Sequence, residues 1–121
     1  MKKIIFTILL SSVFNTAFAF PDKPIRLIVP FAPGGPTDVV ARTFAETVSQ
    51  TLGQPIIVEN KPGARGGLGT SLLTKAQADG YTLGIASVST HIVNPSCNKN
   101  VDYDPVKGFT HLALIADMPM V

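Results

Sequence analysis

Two short stretches hold residues whose types and spacing could do chemistry. The first is Val29-Pro30-Phe31-Ala32-Pro33-Gly34-Gly35-Pro36-Thr37-Asp38, an apolar run that ends in a Pro/Gly turn and opens into a helical pattern. The second is Asn60-Lys61-Pro62-Gly63-Ala64-Arg65-Gly66-Gly67. A strand that feeds a helix through glycines leaves backbone N–H groups free at the helix N-terminus. Those donors and the helix dipole both favour a carboxylate or a phosphate. The two corners are expected to face one ligand, although plain strand-to-helix turns would look the same in sequence.

Within these corners Thr37 and Asp38 read either as ligand contacts or as N-caps of the helix that follows. Arg65 reads either as a donor fork for a ligand carboxylate or as a solvated loop side chain. The first corner lacks the Lys-Ser/Thr of a phosphate-binding loop. Gly67-Leu68-Gly69 begins like a dinucleotide fingerprint, but Leu72 stands where its third glycine belongs. Both departures argue against a nucleotide.

A third polar stretch contains Ser87, Ser89, Thr90 and His91, which raises the possibility of a small secreted hydrolase using Ser87 or Ser89 with His91. The Gly-x-Ser-x-Gly elbow that usually presents such a serine is missing. His91 and His111 lack metal-ligand spacing with each other or with Cys97. No cofactor or metal is therefore expected. Cys97, the single cysteine, reads as a small half-buried thiol.

The elements that must position these residues are legible in the hydrophobic pattern. Ile25–Val29, Ile56–Glu59 and Tyr81–Ala86 read as buried strands, with a fourth apolar run at His111–Ala116. Val40, Phe44, Val48 and Leu52 recur every fourth residue, so a helix from about residue 37 packs on the sheet and ends at Gly53. A weaker helix is expected from Leu68 to Ala78, with Leu72, Leu73 and Ala76 inward, and a helix-like turn within Ser87–Pro95. The order β-α-β-α-β-(α)-β predicts an α/β fold: a mostly parallel sheet with helices on both faces, three layers in all. Ligands of such sheets bind beyond the carboxyl ends of the strands. Residues 31–38, 60–67 and 87–94 all leave strands at that edge.

Residues 1–19 stand apart from this pattern. Lys2 and Lys3, the apolar run Ile4–Phe14 and the box Ala17-Phe18-Ala19 make a signal peptide, with cleavage expected after Ala19. Export to the periplasm follows. Removing the segment leaves eight basic and eight acidic residues, so the net charge of +2 belongs to the leader. A neutral chain without a basic patch excludes a nucleic-acid partner.

In order along the chain, Val29–Asp38, Val58-Glu59-Asn60-Lys61-Pro62-Gly63-Ala64, Asp79-Gly80-Tyr81-Thr82-Leu83, Thr90-His91-Ile92-Val93-Asn94-Pro95 and Tyr103-Asp104-Pro105-Val106-Lys107 resemble the Bug (Bordetella uptake gene) family. These are the extracytoplasmic substrate-binding components of tripartite tricarboxylate transporters. The resemblance implies a periplasmic-binding-protein fold in which two α/β domains close on a small carboxylate or related organic solute. It also implies membrane permease subunits as partners, and no chemistry on the ligand. It carries ligand contact onto Pro33, Gly34, Gly35, Thr37 and Asp38, onto Gly63, Ala64 and Gly66, and onto Ser87, Ser89, Thr90 and His91. Pro36, Arg65 and Cys97 depart from the usual residues of the family.

On this reading residues 20–117 are the N-terminal part of the first domain, 118–121 begin the crossover, and the second domain is absent. A non-functional remnant of such a protein is the other reading of the length. Binding by residues 20–121 alone is expected to be weak or absent; micromolar affinity for a dicarboxylate would refute that expectation.

Overall fold

The computed structural model describes residues 20–117; the expected leader with its cleavage site and the expected crossover at 118–121 lie outside the described residues. Three strands, β1 (Ile25–Val29), β2 (Ile56–Asn60) and β3 (Thr82–Gly84), form one sheet in the order β2-β1-β3. Both pairings are parallel. Val29 stands opposite Asn60, and Ile28 opposite Gly84. The mostly parallel sheet expected from the alternation is what forms.

The central strand is buried except at Arg26, as the otherwise apolar run Ile-Arg-Leu-Ile-Val requires. Side chains alternate across it. Ile25, Leu27 and Val29 join Ala41, Ala45 and Ile56 in the core, against helix α1 (Pro36–Leu52). Ile28 points the other way, toward Gly69 and Leu73 of helix α2 (Gly67–Thr74). Helices therefore cover both faces. The small Ala41 and Ala45 let α1 sit close to the sheet, while Phe44 and Val48 flank the contact.

Gly53 ends α1 in the left-handed conformation (φ 69°), its N–H donating to the Ser49 carbonyl at 3.0 Å. At the other end the expected cap is corrected. The N-cap is Gly35, with no side-chain cap, because Pro36 occupies the first helical position and sets the entry itself. Thr37 and Asp38 lie inside the helix.

Three further expectations change. α2 stops at Thr74 rather than Ala78, and Leu72 is 41% exposed while Leu73 turns inward against Gly84. Consecutive residues of a helix point to different faces, so the two leucines cannot both turn inward. The apolar run at 111–116 forms no strand: Leu112 is 74% and Leu114 87% exposed. An apolar run becomes a strand only where a neighbouring edge pairs it, and among the described residues none does. Cys97 is exposed rather than half-buried, since it ends the short helix α3 (Asn94–Cys97) on the outside.

A π-helical turn, Ser89–Val93, leads into α3. Pro95 has no N–H to return to the His91 carbonyl, so the chain widens there instead of continuing an α-helix.

Candidate functional site

Because all three strands are parallel, the segments leaving them meet at one edge of the sheet. Phe31–Gly35 follows β1, Lys61–Gly66 follows β2, and Ile85–Thr90 follows β3. Gly66 is the meeting point. A methyl built on it would lie 2.6 Å from the Thr90 methyl and 3.4 Å from the Phe31 ring. Only a bare α-carbon lets the three segments close to this distance. Gly67 beside it is equally crowded, against the amide of Asn94.

The second corner winds through four consecutive residues at positive φ: Gly63 (135°), Ala64 (49°), Arg65 (56°) and Gly66 (86°). Two of these carry a Cβ, which costs roughly 1–2 kcal/mol each in the left-handed region. Such strain clusters at binding and switch sites. The turn is held by Gly66 N–H and Leu68 N–H, both donating to the Gly63 carbonyl at 2.9 and 3.3 Å. Arg65 is exposed within it. Gly69 seats α2 against the ends of β1 and β2. A methyl there would meet the Lys61 carbonyl at 2.8 Å and Pro30 Cα at 2.9 Å.

The first corner is organised by Asp38, which is 2% exposed. Its carboxylate accepts from Arg42 Nε (2.9 Å), the Gly34 N–H (2.9 Å) and Asn60 Nδ2 (2.8 Å). The Arg42 fork, the Gly34 amide and the Asn60 amide together hold its pKa down to about 2. The Asp38 carboxylate is thus fully engaged by protein donors. Pro33 and Gly34 are exposed, while Gly35 and Thr37 are half-buried beside them.

The third segment folds on itself. Thr90 is fully buried; its hydroxyl accepts from the Ser87 N–H (3.0 Å), donates to the Ser87 carbonyl (3.1 Å) and lies 2.9 Å from His91 Nδ1. Tyr103 donates to the Thr90 carbonyl at 2.6 Å and accepts from Asn94 Nδ2 at 3.2 Å, which locks the turn to the chain beyond it. Composition gave no signal for Asn60, Arg42, Asn94 or Tyr103 as site-supporting residues. Asn60, Asn94 and Tyr103 answer backbone groups distant in sequence, and Arg42 answers the side chains of Asp38 and Asn60.

His91 packs on Phe109 with ring centroids 4.9 Å apart, and His111 lies 5.8 Å away. Burial, and then the neighbouring His111, pushes its pKa below the usual imidazole range. The nearest hydroxyl to its Nδ1 is that of Thr90. Ser87 Oγ is engaged with Thr90, and Ser89 is exposed. The His91 backbone N–H donates to the Ser87 carbonyl at 2.9 Å, but among the described residues no side-chain hydrogen bond joins Ser87 or Ser89 to the His91 ring. Nor does any group of three His, Cys, Asp or Glu side chains stand ready to hold a metal among them.

Comparison with known proteins gives this edge a context. The model of the "Tripartite tricarboxylate transporter family receptor" matches residues 40–121. Protein BugT of Bordetella pertussis (strain Tohama I) is 41% identical over 107 residues, which is 88% of this chain and 33% of BugT. The structure of periplasmic binding protein BugD is 44% identical, with a TM-score of 0.71 over 74% of this chain and 30% of BugD. MatC from Rhodopseudomonas palustris, solved with bound malate, is 42% identical, with a TM-score of 0.76 over 79% of this chain and 33% of MatC. The chain spans about a third of the length of the relatives it matches. BugD is a periplasmic binding protein, and over the shared part BugD and MatC have the parallel α/β arrangement described above. Motifs, sheet order and these matches agree: the chain belongs to the tripartite tricarboxylate transporter receptor (TctC) family, with the Bug proteins among its relatives.

Proposed function

We propose that this chain supplies one wall of a periplasmic solute-binding cleft, in the N-terminal part of a first domain at 20–117, and captures a small dicarboxylate there. The leader ending at Ala19 would export it, and a membrane permease would receive the ligand. The observation that carries the reading is the strained run Gly63–Gly66, seated against Phe31 and Thr90 at the carboxyl edge of the sheet. Left-handed backbone of this kind turns N–H groups outward, and α1 and α2 both begin at the same edge.

The exposed and half-buried members are assigned the contacts: Pro33, Gly35 and Thr37; Gly63, Ala64 and Arg65; Ser87, Ser89 and the edge of His91. Gly34, Asp38, Gly66 and Thr90 are assigned to support, because their polar groups or their space are already used. The likeness to malate-bound MatC supports a carboxylate ligand. The protein performs no reaction on it.

Thermal unfolding of the purified protein with succinate or malate tests the reading. Stabilisation should rise through the millimolar range and be absent with the matching diamides. Arg65→Gly should weaken the response at least threefold. The same variant should raise the melting temperature of the free protein, because it removes one strained left-handed residue worth about 1 kcal/mol. Equal responses to acids and diamides would contradict the proposal, as would ester hydrolysis that disappears in His91→Ala.

A further inference from the structure

The first two corners belong to different β-α units, yet they are tied by side chains rather than by backbone alone. Asn60 is the last residue of β2 and stands at the entrance to the second corner. Its Nδ2 donates to Asp38 Oδ1 (2.8 Å) and to the Phe31 carbonyl (3.1 Å), and its Oδ1 accepts from Arg42 Nη2 (3.1 Å). Arg42 Nε completes a closed ring on Asp38 Oδ2, which also holds the Gly34 N–H. Two backbone points of the first corner, Phe31 O and Gly34 N, are thereby fixed to the start of the second.

The ring has a direct electrostatic consequence. A lone carboxylate under the corner would repel an anion. Arg42 neutralises this one, while every donor on the carboxylate is also a strut. It also has a chemical consequence: the Gly34 N–H is spent on Asp38, and Pro33 and Pro36 have none. Among the N–H groups left to the first corner are those of Ala32, Gly35 and the opening turn of α1.

We propose that Asn60 and Arg42 are positioning residues of the anion site, acting through Asp38 to hold the first corner at a fixed separation from the second so that both present donors to one ligand. The inference rests on the carboxylate-capture reading above. Such groups raise affinity without touching ligand, because a corner that is already ordered loses no freedom on binding.

The test uses the purified protein and three variants, Asn60→Ala, Arg42→Gln and Arg42→Lys. It reads amide hydrogen exchange and the dissociation constant for succinate. In Asn60→Ala and Arg42→Gln the Gly34 amide should exchange about tenfold faster, while Leu27 and Val58 in the strands keep their protection within about twofold. The dissociation constant should rise about three- to tenfold. Arg42→Lys should behave like Arg42→Gln, since an ammonium supplies the charge without the planar fork that reaches both Asp38 and Asn60.

Recovery of affinity in Arg42→Lys would overturn the proposal by reducing Arg42 to its charge. Unchanged affinity in the face of a loosened Gly34 would overturn it too, and so would equal loss of protection in corner and core. If Asn60→Ala does not fold, the two Arg42 variants decide, because that side chain lies largely at the surface. Failure of the unmodified protein to bind succinate sinks the capture reading as well. Binding by the unmodified protein that the variants leave unaltered sinks the positioning role alone.

Discussion

At the scale of single residues, the first corner is organised by a side chain whose partners lie on three different segments. In sequence Asp38 reads as a cap or as a ligand contact; the cap of the helix is Gly35 instead. The Asp38 carboxylate reaches back to Gly34 and sideways to Arg42 and Asn60. That arrangement has a pH signature. The folded-state pKa of Asp38, about 2, lies below its ordinary 3.8, so the charged form favours the fold. The contribution is complete above about pH 4 to 5 and disappears as the pH falls through about 2. Glu59, Asp102 and Asp104 are shifted in the same direction, Glu59 and Asp102 mainly by Arg26 and Lys75, and Asp104 by backbone N–H groups of Lys107 and Val106. His91 adds to the trend from higher pH, since burial favours its neutral form. Melting temperature measured from pH 7 to pH 2 should therefore fall continuously. Asp38→Asn should flatten the part below pH 4, and Arg42→Gln should move that part to higher pH. A melting temperature that rises on acidification would contradict these assignments.

At the scale of elements, the strands and the long helix were legible because each carries its own period. Ile25–Val29 is apolar but for Arg26, and the Val40, Phe44, Val48 series marks one helical face. Gly53 was legible as a terminator for the same local reason: only a left-handed residue closes that helix end. The second helix was overread, since Ala76 and Ala78 continue the composition of a helix but not its packing. What no local pattern could reveal is contact across elements. Gly69 looks like a weak spot in a helix, yet it is where α2 backbone meets both Lys61 and Pro30. Gly69→Ala should destabilise the fold by about 1–3 kcal/mol, because backbone rather than a flexible side chain must move. Leu72→Ala, on an exposed position, should cost well under half as much. Denaturant unfolding with both variants checks the order, and the reverse order would contradict the seating of α2.

At the scale of the whole molecule, the parallel order β2-β1-β3 is what turns three separate turns into one edge. The alternation of strand and helix foretold that convergence, and the spacing of the corners carried the family resemblance. The fourth strand was not foretold correctly. His111–Ala116 has the composition of a strand, but pairing is a property of the neighbour as well as of the segment, and these residues stay unpaired and exposed among the described residues. The surface also offers a competing location for a ligand, the groove of about 280 Å³ between α1 and β2 lined by Arg42, Glu46, Ser49, Ile56 and Val58. It lies beside the start of β2 rather than the carboxyl ends of the strands, and has a carboxylate, Glu46, in its lining.

The central claim is that a small dicarboxylate is held at the common edge of the three strands. Amide chemical-shift mapping with succinate, up to about 20 mM to capture millimolar affinity, tests it most directly. Saturable shifts confined to residues 33–37, 63–67 and 87–91 are the predicted result. Shifts centred on the α1–β2 groove, or none across that range, would contradict it.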